Sequence, residues 1–282
     1  MKFQESALEG KSGEIEGVIL EGGERGMDRV RRALRPGYCL RAARGILAGG
    51  GPILIGTGFP VAGSFETDGP LGAIALYRVL EHLGRQPWFG CAPPISRVLG
   101  GSFRTLEIPI AGWEETRPFV QRALAELRPG ALVSIERPGI AADGRYYNMR
   151  GEDISDRLAK FDLFFDLFEG FTVGVGDGGN EIGMGNAREA LADLPIRPSV
   201  TGCRELVIAA VSNWGAYGII ACMGLLSGED LFDLFDPLEI LRDLVDRGAV
   251  DGRTCAASCT EDGFPLAVGL ERIARLRRLC RP

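Results

Sequence analysis

Asp177, Asn180, Glu181 and Asn186 fall within one short stretch that also holds Gly176, Gly178, Gly179, Gly183 and Gly185. Carboxylates at this spacing can move protons or hold a cation, and amides can orient oxygens by hydrogen bonding. Glycine lets the main chain turn with positive φ and brings its N–H groups close to a ligand. A simple turn needs one or two glycines rather than five, and a core segment would not accept three such polar side chains together. The apolar run 171–175 just before it reads as a buried strand. The expected meaning is a polar small-molecule or metal site at a strand end.

The elements that must position this loop follow from hydrophobic patterning. Apolar runs of strand length lie at 52–56, 86–91, 104–110, 131–135, 171–175 and 206–211. Segments with helical spacing lie at about 70–83, 114–127 and 157–168, then from near Trp214, and at 236–247 and 266–279. Such alternation implies an α/β fold, a three-layer, Rossmann-like sandwich with a mostly parallel central sheet covered on both faces. Residues 1–35, rich in Gly and Glu, read as an irregular N-terminal arm with one short helix. No repeat, low-complexity tract or linker interrupts the pattern, so 1–282 is expected to be a single domain.

Ligands of parallel sheets collect outside the carboxyl ends of the strands, and other polar residues fall there too. Thr57 follows the first strand, and Glu66, Thr67 and Asp68 precede Pro70 at a helix start. Glu136 and Arg137 follow the 131–135 strand, with Asp143, Arg145, Tyr146, Tyr147 and Asn148 beyond; Ser212, Asn213 and Trp214 follow the 206–211 strand. Plainer readings stand beside these. Thr67 or Asp68 could cap a helix with Pro70 at its first position. Arg137 and Arg145 could be salt-bridged surface groups, and Asp143-Gly144 only a turn. Gly56-Thr57-Gly58 lacks the Lys-Ser/Thr of a phosphate loop.

Other chemistries are disfavoured by what is missing. His82, the sole histidine, lies in a helical segment with apolar neighbours and reads as a helix-end or packing residue. Ser-His-Asp and Cys-His catalysis are therefore poorly supported, and the glycines do not keep dinucleotide-binding spacing. Acid–base work falls to carboxylates, to Tyr146 or Tyr147, or to a bound metal. A net charge of −6 and a pI near 5.1 argue against nucleic-acid or anionic-membrane partners. Seven scattered cysteines without a CxxC pair make a zinc cluster unexpected and the cytoplasm the natural compartment. The start of the sequence shows no signal or transit pattern, and no apolar run reaches membrane-spanning length.

With these residues assembled, the chain resembles the C-terminal region of the D-glutamate cyclase family. The resemblance is carried by residues 56–61, 66–73, 136–139 and 141–148, by the loop 175–186, and by Val211 to Tyr217 with Asp262 to Pro265. These segments keep the family's order from about Leu54 to Pro265. The run 88–93 departs from it, where relatives tend to carry an acidic or amide-bearing end, and is expected to bear on substrate choice. Larger relatives carry a further N-terminal domain, so the sequence is expected to be a complete enzyme, one half of a split system (with a homo-oligomer or a separate subunit as partner), or a relative with another substrate.

The resemblance implies conversion of D-glutamate to 5-oxo-D-proline, a hydro-lyase reaction on a small acidic amino acid. Arginine forks suit its carboxylates, which nominates Arg137 and Arg145. Asp177 and Glu181 are expected as base and as metal or amine ligands, with Asp68 and Asp143 as second carboxylates. Asn148, Asn180 and Asn213 would orient oxygens, and Thr57, Gly178 and Gly179 would complete the substrate site. Oxygen ligands of this kind suit Mg²⁺ or Mn²⁺ rather than zinc. The same residues could serve a non-catalytic acidic amino-acid sensor, or a metal-dependent phosphoryl-transfer or hydrolytic enzyme with phosphate on the glycine amides.

Overall fold

Pro52 and Gly58 bracket a run of five buried residues that forms strand β1 (Ile53–Thr57). A computed structural model describes residues 2–281, and places β1 at the centre of a sheet of six strands. Short β2 (Pro60–Val61) and β3 (Ser64–Phe65) make a hairpin, and β4 (Pro87–Cys91), β5 (Thr105–Glu107), β6 (Ala131–Ile135), β7 (Phe171–Gly176) and β8 (Glu205–Ile208) follow. A second hairpin is formed by β9 (Thr260–Glu261) and β10 (Phe264–Pro265). The sheet order is β5-β4-β1-β6-β7-β8, every pair parallel. The three-layer, Rossmann-like architecture expected from the alternation is therefore present.

That order matters for function. The chain runs outward from β1 through β4 to β5, then returns to β6 on the other side of β1. The connections leaving the neighbours β1 and β6 therefore diverge, which opens a crevice at their carboxyl ends, the usual ligand position in such sheets.

The helices are α1 (Lys2–Leu20), α2 (Met27–Ala33), α3 (Tyr38–Ala48), α4 (Pro70–His82), α5 (Ile95–Gly100), α6 (Trp113–Leu127), α7 (Asp162–Leu167), α8 (Arg188–Leu191), α9 (Ser212–Ser227), α10 (Pro237–Asp246) and α11 (Leu266–Cys280). Side chains alternate across the strands. Ile53, Ile55 and Val133 join the core under α3, α4 and α9, while Leu54 and Leu132 face Val120, Phe161 and Phe164 of the opposite layer. Among the described residues no helix is long and apolar enough to cross a membrane.

Two expectations are corrected. The irregular arm is instead two helices, α1 and α2, and α3 follows where no element was foreseen. Gly10, Gly13 and Gly17 blur the periodicity of α1, which is held by tertiary contacts: Ile15 and Ile19 are fully buried, and the Glu16 carboxylate accepts from the amides of Gly37 and Cys39 at the start of α3. The helix expected over 157–168 breaks into a 3₁₀ turn at Ser155–Arg157 and the short α7. Carbonyls that would continue it are taken by side chains, with Lys160 donating to Ser155 and Leu158 and Arg137 donating to Ala159. The 104–110 and 206–211 strands are shorter than expected, the latter because Ser212 already opens α9.

Helices α4 and α9 start side by side and cap one another. The Asp68 carboxylate accepts from the amides of Ser212 and Asn213 (3.0 and 2.7 Å), and the Asn213 carbonyl oxygen accepts from those of Gly69 and Gly72 (2.9 and 2.8 Å). Each thereby satisfies donors that a helix start leaves open. The close approach needs Gly72, where a Cβ would lie 2.9 Å from both Asn213 Cα and Ala216 Cβ. Gly72→Ala is expected to cost about 1–3 kcal/mol in urea unfolding; an unchanged midpoint would show that the two helices separate freely.

Candidate functional site

At the end of β7 the glycine-rich loop closes on its own acid. The Glu181 carboxylate accepts from the amides of Asp177, Gly178 and Gly179 at 3.1, 2.6 and 2.7 Å. Gly179 takes φ 107°, and a Cβ there would lie 2.5 Å from Ile196. The glycines thus permit a tight wrap around Glu181, which is fully buried and turned into the loop. Those three amides are consequently not free to cradle a phosphate. Asn180 donates to the Tyr147 carbonyl (2.8 Å), tying the loop to the 141–148 segment.

The wrap turns Asp177 the other way, toward Asp68 and Glu136. One carboxylate oxygen from each of the three lies within 4.8 Å of the others, and all three residues are buried. Asp68 is fixed by its bonds to the start of α9 and by the Gly69 amide (2.9 Å). Glu136 follows β6 directly, with a left-handed backbone (φ 46°) uncommon for a non-glycine residue. It accepts from the Ser212 hydroxyl at 2.5 Å. Arg25, from the connection between α1 and α2, donates to Asp177 (2.5 Å) and to Asp262 of the β9–β10 turn (2.7 Å).

Glu66, Asp68, Glu136, Asp177, Glu181, Glu261 and Asp262 are all buried here. Among the described residues Arg25 is the one cationic side chain that bonds to any of them. Burial and mutual repulsion must therefore favour protonation. Burial pushes Asp177 up to about 6 against the pull of Arg25, and burial with repulsion from Asp177 pushes Asp262 up to about 7. Burial also lifts Glu261 to about 7. Asp68 and Glu136 lie well above the usual carboxylate range, first through burial and then through Asp177. The donors are hard carboxylate oxygens, and Asp177 Oδ2 is buried without a partner. Asp68, Glu136 and Asp177 thus fit a hard divalent cation such as Mg²⁺ or Mn²⁺.

A cleft of about 360 Å³ opens over this cluster. Glu66, Asp68, Glu136 and Asp262 line it, with Arg25, and a second segment contributes Asn148, Arg150 and Arg157. The crevice at the β1–β6 switch is thereby a pocket with acids and arginines in one lining.

The other expected residues lie as follows. Thr57 is buried beside the cluster, its Oγ1 3.0 Å from where a Gly69 Cβ would stand. Asn213 is committed to the α4 amides and donates to Glu261 (3.1 Å). Arg137 is buried but donates to the carbonyls of Thr57, Gly58 and Ala159, so its fork braces loops and pairs with no carboxylate. Asp143 and Arg145 are exposed; Asp143 accepts from Tyr147 (2.6 Å) and Arg145 pairs with Asp153 (3.5 Å), and neither lines the cleft. Tyr146 is buried against Asp162 (2.9 Å). His82 ends α4 and bonds Glu229 (2.8 Å), far in role from this cluster. Arg25 and Glu261 were not expected as site residues, while Glu66 and Glu136 were placed on the polar rim and Asp262 in a family segment without a role. Their local signal was weak: Glu136 and Glu66 stood in polar loops after strands, whereas nothing around Arg25 pointed to the sheet.

A model of the family described as D-glutamate cyclase-like, C-terminal, matches residues 16–277. Over 203 residues the chain is 34% identical to the mitochondrial D-glutamate cyclase of Homo sapiens, covering 62% of this chain and 33% of that protein. The match therefore spans about a third of that relative's length. The crystal structure of an exopolyphosphatase-related protein from Bacteroides fragilis aligns with a TM-score of 0.43 and 11% identity, covering 86% of this chain and 59% of that one. That likeness is too distant to carry an argument.

The raised carboxyls have a consequence for stability. A carboxyl whose folded pKa exceeds its unfolded value contributes fully below the unfolded value and loses that contribution as pH rises through the folded one. For Asp177, Asp262 and Glu261 this window runs from the ordinary range near 4 up to about 6–7. The melting temperature of the ligand-free protein is expected to fall between pH 5 and pH 8, on the order of a few degrees, with Asp177→Asn flattening the slope; a melting temperature that rises over this range would contradict the assignment.

Proposed function

The chain belongs to the D-glutamate cyclase-like C-terminal family, and from that premise we propose that its cleft closes D-glutamate, or a closely related acidic amino acid, into 5-oxo-D-proline with loss of water. The reaction joins the amine nitrogen to the γ-carboxyl carbon and breaks one carbon–oxygen bond. The ammonium gives up two protons, and the departing oxygen gains two to leave as water. No net proton is consumed, so the site must relay protons from nitrogen to oxygen.

The observation that carries this reading is the buried trio Asp68, Glu136 and Asp177 beneath a cleft that also presents arginines. Carboxyls that burial and like charge raise well above the ordinary carboxylate range can be protonated in one step and ionised in the next. Asp68 and Glu136 border the cleft and are the proton carriers; Asp177, paired with Arg25, lies behind them and sets their charge. Arg150 and Arg157 offer forks to the substrate carboxylates. A divalent cation on the trio would polarise the γ-carboxyl and neutralise charge developing on its oxygen. Exclusion of water by burial of the trio strengthens each of these interactions.

Incubation with D- and L-glutamate, with Mn²⁺ or with chelator, followed by chiral chromatography of 5-oxoproline, tests the reading. Product from the D-isomer is expected, reduced by chelator. A folded protein that yields none from either isomer would set the activity aside, and tight binding without product would make it a binding protein. Asp177→Asn is expected to remain folded while turnover falls by at least about 100-fold; a fully active variant would remove Asp177 from the mechanism.

A further inference from the structure

The carboxylates bordering the cleft are committed to protein donors, with one exception. Asp68 holds helix amides, Glu136 the Ser212 hydroxyl, Asp262 the Arg25 guanidinium and Glu152 the Asn148 amide. The Glu66 carboxylate has no hydrogen-bond or ion-pair partner among the described residues, although the residue is only 7% exposed and its Oε1 is fully enclosed. Its place is nonetheless strictly held. The Glu66 amide donates to the Phe59 carbonyl (3.1 Å), and the Thr67 amide donates to that of Val250 (2.9 Å). Gly252 leaves the room its carboxylate needs, since a Cβ there would lie 1.8 Å from Glu66 Oε2.

An acid that is buried, positioned and unpaired is costly in its ionised form: it stays protonated until something outside the chain completes it. The partner that would complete it in its ionised form is cationic and comes from the cleft, which Glu66 lines. Asp68 and Asp262 line the same cavity, so a group with several N–H donors is favoured over one with a single donor. We propose that Glu66 receives the α-ammonium of the substrate, so that the cleft selects a free amino acid over its deaminated analogue. This rests on the amino-acid reading of the cleft. It assigns to Glu66 the recognition of nitrogen, leaving proton transfer to Asp68 and Glu136. Arg150 and Arg157, in the same lining, take the carboxylates.

Calorimetric titration of the full chain with D-glutamate and with glutarate, which has the same two carboxylates and no amine, tests it. The wild type is expected to prefer D-glutamate by about tenfold or more, the difference a charge-assisted contact makes. In Glu66→Gln the preference is expected to collapse through loss of D-glutamate affinity, with glutarate bound no more weakly. The variant should melt no lower than the wild type, because the Glu66 carboxylate makes no bond within the protein; should it fail to fold, Gly252→Ala, whose methyl displaces the same carboxylate, provides the same comparison. A wild type that binds the two ligands equally, or a folded variant that keeps the wild-type preference, overturns the inference alone. No binding or turnover of D-glutamate by the wild type overturns the amino-acid reading with it.

Discussion

The reciprocal capping of α4 and α9 is the contact on which the site depends. A helix start exposes amides that must be satisfied, and here each helix is capped by a residue from the segment that opens the other. Asp68 cannot turn away without leaving the first amides of α9 open, and Asn213 cannot leave without exposing those of α4. Glu136 is tied to the same point through Ser212. Two of the three clustered carboxylates are therefore held by secondary structure rather than by flexible loops, as a site that must keep like charges together requires.

Electrostatics then explains why so much of the chain converges here. The clustered carboxylates come from the loops after β3, β6 and β7 and from the β9–β10 turn, and Arg25 comes from the segment before the sheet begins. One guanidinium cannot neutralise this many acids, so protonation and ligands must do the rest. Arg25 also gives α1 and α2 a role beyond packing, because their connection carries the cation that bridges Asp177 and Asp262. Glu181 shows the opposite solution, in which a buried acid is satisfied wholly by main-chain amides.

The glycine-rich loop was conspicuous in the sequence because five glycines among acids is a local pattern. Its two acids looked equivalent, yet one is a brace and the other faces the cluster. Arg137 and Arg145 were both suited to carboxylates by type, yet Arg137 spends its fork on carbonyls and Arg145 lies on the surface. The side-chain type states what a residue can bind; its direction and neighbours decide what it does bind. Helix α1 escaped notice for a related reason, since its stability lies in contacts with α3, α9 and α11 rather than in its own glycine-broken pattern.

By itself the sequence determined the alternation of strands and helices, the parallel sheet, and the rim on which polar loops collect, because hydrophobic period and turn residues act over a few positions. It also held the family resemblance, in segments long enough to be specific. Only the tertiary structure decided which acids meet. The meeting of Asp68, Glu136 and Asp177, the reach of Arg25 and the isolation of Glu66 depend on strand order and on helix starts brought together from distant parts of the chain. Those relations leave no periodic trace, since charge interacts through space and not along the backbone.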